Sequence, residues 1–143
     1  MKIVSKNLKE TYQIAKDFAG ELSTFQKATI LGFYGDLGSG KTTFTQNLAL
    51  VLGVTEAVTS PTFVIEKIYK LKDQKFTHLI HIDAYRIEKS SEMLHLGWKE
   101  ITDDPKNLIV IEWPERIADI LPPDMKKLEF IFVDETTREI VIN

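Results

Sequence analysis

The chain has 143 residues, 43% hydrophobic and 27% charged, the size and balance of one globular domain. That is too short for a nucleotide-driven engine with a separate substrate domain and too apolar for a disordered chain. Lys plus Arg number 18 against 21 Asp plus Glu, a formal charge of -3, so the chain has the wrong sign to grip nucleic acid unaided and any RNA connection runs through a partner.

With no Cys, disulfides, thiolate metal sites and a cysteine nucleophile are excluded. No apolar run approaches the roughly 18 to 20 residues that span a bilayer. The expectation is a cytoplasmic chain without a membrane segment, and no linker or repeat divides residues 1–143 into more than a single domain.

In chain order, Asn7 followed by Glu10 has the spacing of a capping box, and Tyr12, Ala15, Phe18, Ala19 and Leu22 recur at helical spacing behind it. Ala28 to Tyr34 reads as a buried strand leading into Gly35, and Thr42 to Leu52 as a helix stopped by Gly53. Phe63 to Leu71 and Lys75 to Asp83, parted by Lys72-Asp73-Gln74, predict a hairpin, with Lys70, Lys72 and Lys75 around a solvated turn. Ser90 and Ser91 are placed to cap a short helix through Leu96. Asn107 to Glu112 is another buried strand, and Pro114 opens a helix to Ile120 that Pro122-Pro123 closes. Leu128 to Val133 and Glu139 to Ile142 form a last hairpin. The sum is an α/β sheet, mixed parallel and antiparallel, flanked by helices.

Between the first predicted strand and the helix that follows it lies Gly35-Asp36-Leu37-Gly38-Ser39-Gly40-Lys41-Thr42, a phosphate-binding pattern that roughly 0.5% of sequences of this composition would match by accident. Glycines let the backbone curl so that successive amides converge on phosphate oxygens at a helix start. Lys41, on a solvent-facing loop, supplies a charge to β- and γ-phosphate. Thr42 offers its hydroxyl to Mg2+, and Thr43 is placed for the α-phosphate. A carboxylate at the end of a neighbouring apolar strand completes such an ion site, and two strands end that way, at Asp83 and at Glu112. His78 and His81, three apart on a strand, point to opposite faces and do not make a zinc pair, while Trp98 and Trp113 read as core fillers.

These residues resemble the TsaE (YjeE) family of P-loop ATPases in tRNA threonylcarbamoyladenosine biosynthesis. The resemblance rests on Glu10-Thr11, Gly35 to Phe44, Ser60-Pro61-Thr62-Phe63, His81 to Arg86, Leu96-Gly97-Trp98 and Glu112 to Glu115, and Ser39 stands where the family often has Ala. It implies a P-loop NTPase sheet and an ATPase that binds ATP and ADP with Mg2+, hydrolyses slowly, works with the TsaB and TsaD proteins, and meets tRNA only indirectly. Mapped residue by residue, Gly38, Ser39, Gly40, Lys41, Thr42 and Thr43 cradle phosphate, and Thr42 and Glu112 hold Mg2+. Lys41 and Asp83 are then the catalytic residues, with Asp83 organising the metal or the attacking water. Thr11 and Arg138 contact the nucleotide, and Ser60 to Phe63 is a switch loop in which Thr62 senses the γ-phosphate.

Three alternatives share the glycine loop, one of them a pure nucleotide-binding regulator whose hydrolysis is incidental. A small-molecule kinase fits poorly, because the chain's three arginines, Arg86, Arg116 and Arg138, are scattered. A nucleotide-dependent regulatory switch of the GTP kind lacks an Asn-Lys-x-Asp run for guanine and an Asp-x-x-Gly after the acidic strand.

Overall fold

The computed structural model of the chain describes residues 1–58 and 65–143. Strand β1 (Lys2–Ser5) leads into helix α1 (Leu8–Glu21), which starts on the Asn7 side chain: its oxygen accepts the Glu10 amide at 2.9 Å, a cap worth about 1 kcal/mol. The Glu10 carboxylate accepts the Lys6 amide at 3.3 Å, one residue before the amide a capping box would use. Ala15, Phe18 and Leu22 are buried as the periodicity predicts, whereas Tyr12 is 39% exposed.

Strand β2 (Thr29–Tyr34) and helix α2 (Lys41–Val51) flank the glycine loop. Strands β3 (Glu66–Lys70) and β4 (His78–Asp83) form the expected antiparallel hairpin, with Lys70 opposite His78. Residues 63 and 64, the predicted start of its first arm, lie outside the described residues, as does the predicted switch loop at Ser60 to Phe63 with Thr62. Two short helices, α3 (Ser91–His95) and α4 (Trp98–Asp103), precede β5 (Asn107–Glu112). Strands β6 (Lys126–Phe132) and β7 (Arg138–Ile142) make the last hairpin.

The structure departs from the sequence reading in four places. Strand β1 was not expected: it has four residues at the sheet edge, paired only with β7, too few for alternation to register. Helix α4 was not expected either, because six residues are less than two turns. Pro114–Ile120 is a 3-10 segment kinked at Ile117 rather than an α-helix. Ser90 does not cap α3 with its hydroxyl, which goes to the Asp119 carboxylate instead; Glu92 accepts the Glu88 and Lys89 amides there at 2.8 and 3.1 Å.

All seven strands join one sheet in the order β1-β7-β6-β2-β5-β4-β3. Strand β2 pairs in parallel with β5 and β6, and β4 in parallel with β5; the outer pairings are antiparallel. The parallel centre explains why β2 and β5 are almost continuously apolar, since both faces of such strands are covered. Leu31, Phe33, Leu79 and Val110 pack toward Phe18 of α1 and Phe44 of α2, where Phe33, Phe44 and Phe130 meet with ring centroids 5.1 to 5.6 Å apart. On the other face Ile30, Ile80, Ile82, Ile109 and Ile111 pack with Met93, Trp98 and Ile117. Because β2, β4 and β5 run the same way, Tyr34, Asp83 and Glu112 emerge at one edge, directly below the start of α2.

Candidate functional site

The glycine loop is held by positions that only glycine fills without strain. At Gly35, φ is +145° and a Cβ would lie 2.6 Å from the Phe130 carbonyl oxygen. Gly40, at φ +106°, is the residue from which α2 departs, and no side chain caps the helix there. The first intrahelical bond of α2 runs from the Phe44 amide to the Gly40 carbonyl at 2.9 Å, so the amides of Lys41, Thr42 and Thr43 have no acceptor within the helix. No acidic residue stands in that first turn; a lysine does. A cation at the positive end of a helix dipole is the wrong choice for stability and the right one for an anion.

Lys41 is 5% exposed, so it does not stand on a solvent-facing loop as expected; α2 and the end of β5 enclose it. Its ammonium donates to the Gly35 carbonyl and sits 3.6 Å from the ring centroid of Trp113. Burial lowers its proton affinity below the ordinary lysine value, and the carboxylates of Glu112, Glu115, Asp83 and Asp36 pull the other way. Trp113 therefore does more than fill the core. It lies 5.0 Å from the Tyr85 ring and holds a left-handed backbone at φ +59°, a conformation that costs a non-glycine residue on the order of 1 kcal/mol.

Thr42 donates its hydroxyl to Glu112 Oε1 at 3.0 Å, bringing together two residues seventy positions apart. Glu112 is 3% exposed, and its other oxygen, Oε2, lies 2.5 Å from His81 Nε2. Asp83 is paired with Glu112 in the parallel register, so both side chains leave the same face of the sheet. Its Oδ1 accepts the Tyr85 amide at 3.0 Å. The structure thus places both candidate acids at the loop and gives them different neighbours.

Beside the loop opens a pocket of about 590 Å³ that Gly40, Thr43, Thr11 and Arg138 line together, with Phe44 and Phe130 as apolar walls. That volume falls in the range of about 300 to 1,000 Å³ usual for small-molecule sites. Thr11 is fixed by a 2.6 Å hydrogen bond with the Ser5 hydroxyl. Arg138 donates to the Thr137 carbonyl at 3.1 Å and to the Asp134 carbonyl, and its guanidinium lies 4.6 Å from the Phe132 ring. Its buried Nε has no partner among the described residues. Gly38 is at φ +78° with open space where a side chain would be, while the Ser39 hydroxyl is turned inward and lacks a partner among the described residues.

Two participants escaped sequence reasoning. The sequence pairs His81 only with His78; the signal that finds its role is period two, which puts His81 and Asp83 on one face and, through the parallel register, beside Glu112. Trp113 had no such signal, because its contact with Lys41 depends on a backbone angle that no residue pattern announces.

A parallel central sheet with a glycine loop passing from β2 into α2 defines a P-loop α/β protein. A family model described as threonylcarbamoyl adenosine biosynthesis protein TsaE matches residues 5–140. The tRNA threonylcarbamoyladenosine biosynthesis protein TsaE of Bacillus subtilis is 38% identical over 135 residues, spanning 94% of this chain and 79% of that one. Its counterpart from Treponema pallidum is 30% identical over 142 residues, 99% of either chain, and that from Borreliella burgdorferi 43% identical over 90 residues, 63% of either. A crystal structure of YdiB from Bacillus subtilis matches 99% of this chain and 83% of its own length with a TM-score of 0.78 at 32% identity. The chain belongs to the TsaE family.

Proposed function

We propose that this chain binds ATP and ADP with Mg2+ at residues 35–43, hydrolyses ATP slowly, and serves the threonylcarbamoyladenosine modification of tRNA with the TsaB and TsaD proteins. The observation that carries this reading is the start of α2: an uncapped helix end, three amides without a partner among the described residues and a lysine, with Thr42 hydrogen-bonded to an acid from the neighbouring strand. The amides of residues 38–43 and the Lys41 ammonium hold the phosphates. Thr11, Thr43 and Arg138 receive the rest of the nucleotide in the adjoining pocket.

The donor set suits a hard cation: a hydroxyl and a carboxylate 3.0 Å apart, oxygen ligands only. Among the described residues no three acidic or imidazole groups gather to hold an ion by themselves, so Thr42 and Glu112 would share it with phosphate oxygens. When bound, Mg2+ supplies positive charge that neutralises the phosphates. Asp83, on the same edge, orients the attacking water. Arg116 lies over the Tyr85 ring and Arg138 is engaged with carbonyl groups, so two of the three arginines are held by other groups, in keeping with slow hydrolysis in the isolated chain. Action in the cytoplasm fits the absence, among the described residues, of any helix long and apolar enough to cross a membrane.

The test is phosphate release from ATP by the chain alone, with TsaB and TsaD added, and with a panel of nucleosides and sugars. Slow release that rises with the two proteins is expected. Fast turnover by the isolated chain contradicts the reading, and phosphate transfer to a panel member makes the chain a kinase. A Glu112→Ala protein should lose the Mg2+ dependence of nucleotide binding; an unchanged Mg2+ titration would move the metal role to Asp83.

A further inference from the structure

The buried pair at the end of β4 and β5 has a feature the reaction does not itself require. Glu112 is held at both oxygens before any ligand arrives, with lone pairs left over for a cation: Oε1 accepts the Thr42 hydroxyl at 3.0 Å and Oε2 lies 2.5 Å from His81 Nε2. With Glu112 ionised the carboxylate only accepts, and the hydrogen between the two is then carried by Nε2. His81 is 0% exposed, and its other nitrogen, Nδ1, has no partner among the described residues, so the Glu112 contact is the polar bond that accounts for the ring's orientation there. On its own face of the sheet His81 has Leu79 and Val110 beside it and Lys67 opposite it on β3, and a buried imidazole there is an expensive way to fill volume that a leucine would fill.

We propose that His81 is a positioning residue: by holding Glu112 Oε2 it reserves Oε1 for the Thr42 hydroxyl, and so sets the strength with which the loop holds Mg2+. The inference rests on the Mg2+-nucleotide reading above and deepens it. With its hydrogen given to Oε1, the Thr42 oxygen keeps its lone pairs for the cation. Without His81 the carboxylate is free to rotate about its terminal torsion, which is broad, and the hydroxyl loses its fixed acceptor. Groups that orient a metal's ligands in this way change metal affinity about 10- to 100-fold when removed.

The experiment uses the full chain with ADP and MgCl2 in a calorimeter. For wild type, Mg2+ titrated into the ADP-saturated protein gives the ion's affinity, and ADP titrated in EDTA gives the nucleotide's affinity without it. A His81→Leu protein is expected to bind Mg2+ 10- to 100-fold more weakly while its affinity for ADP in EDTA stays within about twofold. His81→Gln, which keeps a donor, should recover most of the loss. A folded His81→Leu protein with wild-type Mg2+ affinity overturns the inference, as does an equal loss in both titrations, which marks a merely structural role. Should the leucine protein fail to fold, nitrogen-15 spectra of the wild-type imidazoles decide: a protonated Nε2 on His81 supports the inference and an unprotonated one ends it. Wild-type chain that binds no ADP at all brings down the nucleotide reading itself, a result distinct from these.

Discussion

Helices α1 and α2 lie side by side on one face of the sheet and begin in opposite ways. The first is closed by its own sequence: Asn7 caps it and Glu10 brings a negative charge into the first turn. The second begins on Gly40 with no cap, no acid and a buried lysine. The same physics governs both ends, amides without acceptors and a positive dipole, and only one of them is satisfied by the chain. An end left open beneath a glycine loop, at the edge where Asp83 and Glu112 emerge, is open for a ligand.

Substitutions that touch each end sharpen the contrast. The largest effect is expected from Lys41→Ala, which should weaken ATP binding on the order of 100-fold by calorimetry, equivalent to about 2.7 kcal/mol. The unfolding free energy of that protein without nucleotide should change by no more than about 1 kcal/mol, because burial and the helix dipole already work against the lysine. If stability falls as steeply as binding, the open end is structural and the comparison fails. Next is Gly40→Ala, which forces a side chain to φ +106° and should cost about 1 to 2 kcal/mol in urea unfolding. Asn7→Ala should cost about 1 kcal/mol in the same measurement. The smallest effect belongs to Glu10→Gln, about 0.3 kcal/mol, read as a small drop in thermal midpoint that salt abolishes.

Much of this contrast was legible in the residues. Strand β2, the glycine loop and α2 follow from a buried apolar run, three glycines and a helix-favouring stretch, and Asn7 at the start of α1 follows from its spacing to Glu10. The pairing of Thr42 with Glu112 was foreseeable in kind, because an acid ending an apolar strand belongs at the carboxyl edge of a parallel sheet. What stayed hidden depends on three-dimensional register or on single torsions. His81 needed the β4–β5 register, Trp113 a left-handed φ, and the buried state of Lys41 needed both. The short elements β1 and α4 were missed because four or six residues carry no period.

The indole beneath the Lys41 ammonium has a practical use. The chain's other indole, Trp98, is buried with Met93 and Ile117 in the core that Trp113 also packs against, and no ring contact with Lys41 is made by it among the described residues. A Trp98→Phe chain would carry one indole, excited selectively over the four tyrosines at the red edge of the absorption band, and its emission should change if the lysine's charge leaves the ring for a phosphate. Arrival of the proposed triphosphate could then be timed by stopped flow on an unlabelled protein, separately from the phosphate release proposed above.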